Sequence, residues 1–201
     1  MEKRKSIVPP LFFGESKENI VIIKNFIQND HLKIIQDFCK TLDTFLDLPS
    51  DDDYYNRICS SSILKDLSPE IHEILSSYQS KHKKIIEDFF NLSLYKNVPS
   101  IVIWRPGDFQ PVHADKEYMP WDTREYPFPD NDIAALFYLN NQYTGGEIYF
   151  PIQDILVKMD AGDAIFFPGD KEYKHEVREV TSGLRFTCVC FWRVTEILSK
   201  F

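Results

Sequence analysis

The sequence predicts an α+β protein in which N-terminal helices pack on one face of a β-sandwich or jelly roll. Before Pro99, two segments carry apolar residues at spacings of three or four, which is typical of amphipathic helices. After Pro99 the chain changes to short runs rich in β-branched and aromatic residues, separated by turns containing glycine, proline or aspartate. Helices followed by strands within 201 residues indicate a single domain, residues 1–201, built from these two layers.

Residues 20–98 are predicted to be mainly helical support, after an irregular lead-in over residues 1–19. The apolar run at 20–23 predicts a short strand, and Asn29 or Asp30 can cap the helix that follows. The apolar face of this first helix consists of Leu32, Ile35, Phe38, Leu42 and Phe45.

A second helix is predicted to begin at Ser68, with Pro69 in its first turn, and to end near Phe90. The acidic, polar stretch 49–62 before it is predicted to be a solvated loop. The apolar face of this second helix consists of Ile71, Ile74, Leu75, Tyr78, Ile85, Ile86 and Phe89.

Residues 99–195 are predicted to form the β core. Strands are predicted near 101–104, 133–140, 147–150, 164–167 and 184–193. The long segment 116–132 is rich in aromatic residues and proline, which fits either a binding loop over a site or a rigid connection. In the first case Tyr118 and Trp121 are candidate substrate contacts.

Composition narrows the classes of function. The formal charge is 23 − 31 = −8, which disfavours a general nucleic-acid-binding role because the phosphate backbone is also negative. The four cysteines form no CxxC pair, so a structural zinc site is not expected. No stretch approaches the length of a membrane span, and no signal-peptide core follows the N-terminus. We therefore expect a soluble protein in a reducing compartment, the cytoplasm, with no membrane partner.

The segment His113-Ala114-Asp115 is the first candidate metal-binding feature. In an extended chain, residues i and i+2 share a face, so the imidazole and the carboxylate can reach one ion. His175 lies next to a predicted strand of the same β core and is the natural third ligand. Two histidines and one carboxylate on one side of a metal are typical of non-haem iron(II) oxygenases.

Arg185 is the second candidate site residue, because it lies in an apolar predicted strand. A guanidinium is costly to bury without an anionic partner, and its planar fork suits a carboxylate. An arginine on an edge strand facing water, or one paired with a protein carboxylate, fits the same pattern.

Together these residues form an ordered series of motifs that resembles the 2-oxoglutarate/Fe(II) oxygenases, and within them the prolyl 4-hydroxylase-like branch. The resemblance covers roughly residues 20–193. In chain order the motifs are His113-Ala114-Asp115, Tyr138-Leu139-Asn140, Gly145 to Pro151, Ala161 to Phe167, His175-Glu176-Val177 and Gly183-Leu184-Arg185.

The resemblance implies a double-stranded β-helix with iron held by His113, Asp115 and His175. It implies that 2-oxoglutarate chelates the iron and places its far carboxylate on Arg185, with help from the Tyr138 hydroxyl. The branch commonly has a tyrosine about nine residues before the first ligand histidine, whereas this chain has Trp104, which is a candidate co-substrate contact that donates but cannot accept.

The implied activity is hydroxylation of a prolyl residue in a peptide or protein. Its cofactors are Fe(II), 2-oxoglutarate and O2, with ascorbate as an optional reductant. The same chemistry on a free amino acid or another small molecule is one alternative. Nucleic-acid demethylation is a weaker one, because no second arginine closely follows Arg185. A cupin-like metal-binding module without catalysis is the third, although it gives Arg185 no role.

Overall fold

A computed structural model of the chain describes residues 13–45, 57–95, 98–116 and 130–198. Within these residues the helices are α1 (Asn29–Phe45), α2 (Ser61–Leu67) and α3 (Pro69–Phe90). The strands, in chain order, are β1 (Val21–Ile23), β2 (Ile58–Cys59), β3 (Leu92–Leu94), β4 (Ser100–Trp104), β5 (Gln110–His113), β6 (Ile133–Tyr138), β7 (Tyr143–Gly145), β8 (Ile148–Phe150), β9 (Ile155–Val157), β10 (Ala164–Pro168), β11 (His175–Val177), β12 (Val180–Gly183), β13 (Arg185–Trp192) and β14 (Val194–Ile197).

Two antiparallel sheets form the β core. The main sheet has six strands in the order β1-β10-β6-β13-β4-β2, and the second has four in the order β5-β11-β8-β9. Two further pairs, β7 with β12 and β3 with β14, lie beside them. The central main-sheet strands are buried on both faces, and this explains why β10 is a continuous apolar run rather than an alternating one.

Alternate residues of the main sheet face two different hydrophobic layers. Ile101 and Ile103 of β4 pack in one cluster with apolar residues of all three helices. Val102 and Trp104, the intervening residues, pack with side chains from the second sheet. The helices therefore cover the outer face of the main sheet, and the space between the sheets is left for a site.

The predicted helices are confirmed, with Ser68 capping α3 through a hydrogen bond in which its Oγ accepts from the Ile71 amide at 3.4 Å. The prediction of a solvated loop over 49–62 was wrong at the end of this range, because β2 occupies residues 58–59 and α2 begins at Ser61. The predicted apolar face of α3 was also too wide, since Ile85 and Phe89 are 37% and 48% exposed. None of the helices in the described residues is long and apolar enough to cross a membrane.

Candidate metal and co-substrate site

Three predicted ligand residues meet between the sheets. His113 ends β5, Asp115 follows two residues later, and His175 begins β11. Because β5 and β11 pair in antiparallel fashion with His175 opposite His113, the two rings come to 4.4 Å between centroids. Each histidine Nε2 lies 3.7 Å from a different oxygen of the Asp115 carboxylate. The three ligand atoms lie within 4.8 Å of one another, so one ion can contact all three.

The histidine tautomers follow from the hydrogen bonds on the far side of each ring. His113 Nδ1 lies 2.8 Å from the Pro111 carbonyl, and His175 Nδ1 lies 3.1 Å from the Tyr173 carbonyl. A carbonyl only accepts, so each Nδ1 carries a hydrogen, and Nε2 is the ring nitrogen left to offer a lone pair to an ion. Two Nε2 atoms and a carboxylate thus converge, and this donor set suits a cation.

The protonation states also suit a metal. Burial lowers the pKa of His175 to about 4, so the ring is neutral at pH 7. Burial pushes the pKa of Asp115 upwards, but His175 and His113 outweigh it and hold this pKa below its usual value. Asp115 is therefore ionised at neutral pH, as a metal ligand must be.

The backbone around Asp115 is fixed by two loops. The Asn131 side-chain Nδ2 donates to the Asp115 carbonyl at 3.1 Å, and the backbone amide of Lys116 donates to the Gly169 carbonyl at 3.0 Å. A Cβ at Gly169 would lie 2.1 Å from the Asn131 carbonyl oxygen, so only glycine fits this approach. These contacts hold the Asp115 carboxylate in position beside the two rings.

Arg185 begins β13 and is fully buried, opposite Trp104 of β4. Its guanidinium carbon lies 5.2 Å from the centre of the Trp104 ring and 4.9 Å from that of Tyr138. Its Nη2 donates to the Tyr138 hydroxyl at 3.0 Å. Among the described residues, no carboxylate pairs with Arg185, and its Nε and Nη1 have no hydrogen-bond partner. The predicted edge position facing water is thereby excluded, because β13 is central and the side chain is buried.

Two further buried polar groups near Arg185 have no hydrogen-bond partner among the described residues. One is the indole Nε1 of Trp104, and the other is the hydroxyl of Thr187. Thr187 was not predicted as a site residue, although it lies two residues after Arg185 in the same strand and so on the same face. Four unpaired polar atoms in one buried region indicate a place for a polar ligand.

One cavity of about 270 Å³ joins the two groups of residues. Its polar lining includes His113, Asp115 and His175 at one part and Arg185 and Trp104 at another. Tyr138 reaches the site through its hydrogen bond to Arg185. Tyr118 and Trp121, the predicted substrate contacts, lie outside the described residues. The remaining lining is mainly apolar and includes Ile58, Val102, Leu136, Ile148, Phe167 and Phe191.

Comparisons with known proteins agree with this geometry. Residues 99–193 match the model of the 2OG-Fe(II) oxygenase superfamily. Human prolyl 3-hydroxylase 1 is 25% identical over 143 residues, which are 66% of this chain and 19% of that protein. The chain thus spans about a fifth of the length of this curated relative.

Solved structures show the same fold at low identity. A prolyl-4-hydroxylase from Pseudomonas putida matches with a TM-score of 0.65 and 18% identity, over 87% of this chain and 92% of that one. A prolyl hydroxylase from Trichoplax adhaerens, in complex with a hypoxia inducible factor oxygen degradation domain peptide fragment, matches with a TM-score of 0.62 and 16% identity, over 88% and 84%. Residues 99–193, a little under half of this chain, are thus similar to the 2OG-Fe(II) oxygenase superfamily, and the fold of the described residues is prolyl 4-hydroxylase-like.

Proposed function

We propose that this chain is a 2-oxoglutarate- and Fe(II)-dependent dioxygenase that hydroxylates an unactivated C–H bond, with a prolyl residue of a peptide or protein as its target. The similarity of residues 99–193 to the 2OG-Fe(II) oxygenase superfamily implies Fe(II), 2-oxoglutarate and O2. The observation that carries the proposal is one cavity that holds both a convergent His-Asp-His cluster and a buried arginine with unpaired donors.

His113, Asp115 and His175 would hold the iron. Their donor set of two imidazole nitrogens and one carboxylate occupies one side of a metal and leaves the remaining positions open for ligands. When bound, the iron and 2-oxoglutarate would supply the oxidising chemistry together with O2: 2-oxoglutarate loses carbon dioxide and takes one oxygen atom to become succinate, and the other oxygen atom enters the substrate. The Pro111 and Tyr173 carbonyls accept from Nδ1 of His113 and His175, which leaves Nε2 of each ring as the nitrogen that can bind the metal.

Arg185 would bind the far carboxylate of 2-oxoglutarate. A buried guanidinium without a counter-charge is unfavourable, and an incoming carboxylate supplies the missing charge and accepts from Nε or Nη1. The Tyr138 hydroxyl already accepts from Arg185 Nη2, so its own hydrogen remains to be donated to the same carboxylate. Trp104 Nε1 and the Thr187 hydroxyl are further donors in this region.

We further assign the β core to a double-stranded β-helix. Eight strands support the assignment: β4, β13, β6 and β10 are neighbours in the main sheet, and β5, β11, β8 and β9 make up the second. Along the chain, β4, β5 and β6 alternate between the two sheets, as do β10, β11 and β13. Such winding puts strand β5 and strand β11 side by side at the metal cluster.

The choice of a prolyl residue rests on the named relatives and on the cavity lining. The relatives in sequence and structure are prolyl hydroxylases, and one of them is seen with a peptide fragment. Beyond the ligand cluster, the cavity presents apolar side chains such as Leu136 and Phe191, against which a pyrrolidine ring can pack.

The test is to supply the chain with Fe(II), 2-oxoglutarate and O2 and to measure succinate with and without added substrate. Proline-containing peptides and free proline are the two probes. We expect peptides to raise succinate formation and to gain one oxygen atom, as seen by mass spectrometry. Stimulation by free proline alone would replace the peptide substrate with a small molecule. Failure to bind 2-oxoglutarate at all would overturn the proposal.

A further inference from the structure

Asn140 contacts the backbone on both sides of Arg185. It lies two residues beyond the end of β6 and is 6% exposed. Its Nδ2 donates to the Leu184 carbonyl at 2.7 Å, and its Oδ1 accepts from the Phe186 amide at 2.9 Å. One side-chain amide therefore bridges the two residues that flank Arg185 in sequence.

The strand register explains why a side chain makes these bonds. Thr187 of β13 pairs with Tyr138 of β6, so Asn140 comes level with Arg185 just after β6 has ended. The Leu139 amide still donates to the Phe186 carbonyl at 3.0 Å. At the next position the ladder is continued by the Asn140 side chain, which satisfies backbone groups that the strand no longer reaches.

The tripeptide Tyr138-Leu139-Asn140 contacts both the backbone around Arg185 and its guanidinium. Asn140 fixes the backbone around it, and Tyr138 accepts from its guanidinium at 3.0 Å. The tripeptide is itself anchored, because Gln36 of α1 donates to the Leu139 carbonyl at 2.9 Å and the Tyr138 amide donates to the Asp163 carbonyl at 2.9 Å. The arginine is thus oriented by a segment that is fixed to the rest of the core.

We propose that Asn140 is a positioning residue for co-substrate binding, because its amide fixes the start of β13 and so aims the Arg185 guanidinium into the cavity. This inference rests on the proposed function. Asparagine suits the position because one short side chain supplies both the donor for Leu184 and the acceptor for Phe186. Aspartate keeps only the acceptor, and leucine keeps the approximate size but neither group.

The test measures three quantities for the wild type and for Asn140→Leu: the midpoint of thermal unfolding, the Kd of Mn(II), and the Kd of 2-oxoglutarate for the Mn(II)-loaded protein by calorimetry. We expect the 2-oxoglutarate Kd to rise by at least about tenfold, since a small displacement of a positioning group has large effects. The Mn(II) Kd should stay within about threefold, because Asn140 does not touch the ligand cluster.

Gln153→Leu is the matched control. Gln153 is 2% exposed and also donates from a side-chain amide to a backbone carbonyl, that of Glu172 at 2.8 Å, but it does not contact Arg185. We expect this variant to lose stability while keeping the wild-type Kd for 2-oxoglutarate. If Asn140→Leu does not fold, Asn140→Asp takes its place, and its 2-oxoglutarate Kd should also rise.

The outcomes separate this inference from the proposed function. A wild type that does not bind 2-oxoglutarate overturns the proposed function. If the wild type binds 2-oxoglutarate but the Asn140 variants have the same 2-oxoglutarate Kd as Gln153→Leu, the proposed positioning role of Asn140 is overturned. Asn140 then has only a structural role. A selective rise in the 2-oxoglutarate Kd supports the role.

Discussion

His113 and His175 lie directly opposite each other on paired antiparallel strands, with 4.4 Å between their ring centroids. The pairing of the two strands places two residues that are distant in sequence at a fixed position relative to each other. Because side chains alternate across a strand, a slip of one residue in this pair would turn a histidine away from the cavity. The metal cluster therefore depends on the register of β5 and β11 as much as on the identity of its ligands.

Arg185→Ala should abolish tight binding of 2-oxoglutarate and leave metal binding intact. The change removes the charge-assisted hydrogen bonds to the carboxylate, and their loss should weaken affinity by roughly 100-fold. Calorimetry on Mn(II)-loaded protein measures the effect, with the Mn(II) affinity as internal control. Unchanged affinity for 2-oxoglutarate would favour a cupin-like module instead.

Trp104→Phe tests whether the indole N–H contacts the co-substrate. The substitution keeps an aromatic ring beside Arg185 but removes the unpaired Nε1 donor. We expect the 2-oxoglutarate Kd to rise by roughly tenfold, as for the loss of one hydrogen bond to a charged group. Trp192→Phe is the matched control, because Trp192 Nε1 is also buried and unpaired among the described residues but does not line the cavity. Equal effects of the two changes would rule out a specific contact.

Gly146→Ala should damage co-substrate binding through Arg185. Gly146 has a φ of +69°, and a Cβ there would lie 2.8 Å from Arg185 Cδ. Gly107, with a φ of +92°, has no atom within 4 Å of the equivalent Cβ position. Both alanine variants carry backbone strain of about 1 kcal/mol, so the comparison isolates the close contacts of the new Cβ, which are with Arg185 and, at 3.1 Å, with Val180 Cγ2. We expect a weaker 2-oxoglutarate affinity only in Gly146→Ala. Equal affinities of the Gly146→Ala and Gly107→Ala variants would contradict this role of Gly146.

The buried histidine His82 should make stability depend on pH. Its ring lies among Phe26, Phe137 and Phe166, and burial lowers its pKa from 6.5 to about 3. Above pH 6.5 it is neutral in both states and contributes no pH dependence. Between pH 6.5 and about 3 the unfolded chain binds one more proton than the folded chain. The free energy of unfolding therefore falls by about 1.4 kcal/mol for each unit by which the pH is lowered.

His82→Phe removes this proton uptake. On going from pH 7 to pH 5, the wild type should therefore lose about 2 kcal/mol more unfolding free energy than the variant. Denaturant unfolding at the two pH values measures it, and His72→Phe on the same helix is the control. The same difference at both pH values would show that His82 does not titrate in this way.

The parts of the site carried by local motifs could be predicted from the sequence, and the parts that depend on register could not. The spacing of His113 and Asp115 and the apolar surroundings of Arg185 are sequence patterns, so these residues were recognisable. Strands β5 and β11 were missed because each has only three or four residues, too few for a periodic pattern. Their pairing is nevertheless what brings the two histidines together.

The roles of Asn140 and Thr187 depend on which strands are neighbours. Asn140 belonged to a recognised motif, but its hydrogen bonds to Leu184 and Phe186 come from the alignment of β6 with β13. The burial of His82 among aromatic rings follows from the packing of α3 on the main sheet, which no local pattern in the sequence reveals. The predicted contacts of Tyr118 and Trp121 stay predictions.

The most direct measurement is an anaerobic titration of metal-free protein with Fe(II) and then 2-oxoglutarate, followed by visible absorption. The proposed site predicts a weak absorption band that appears only when both are bound, and its loss in His113→Ala and His175→Ala. Iron binding without this band in the wild type, or a band that persists in both histidine variants, would contradict the site.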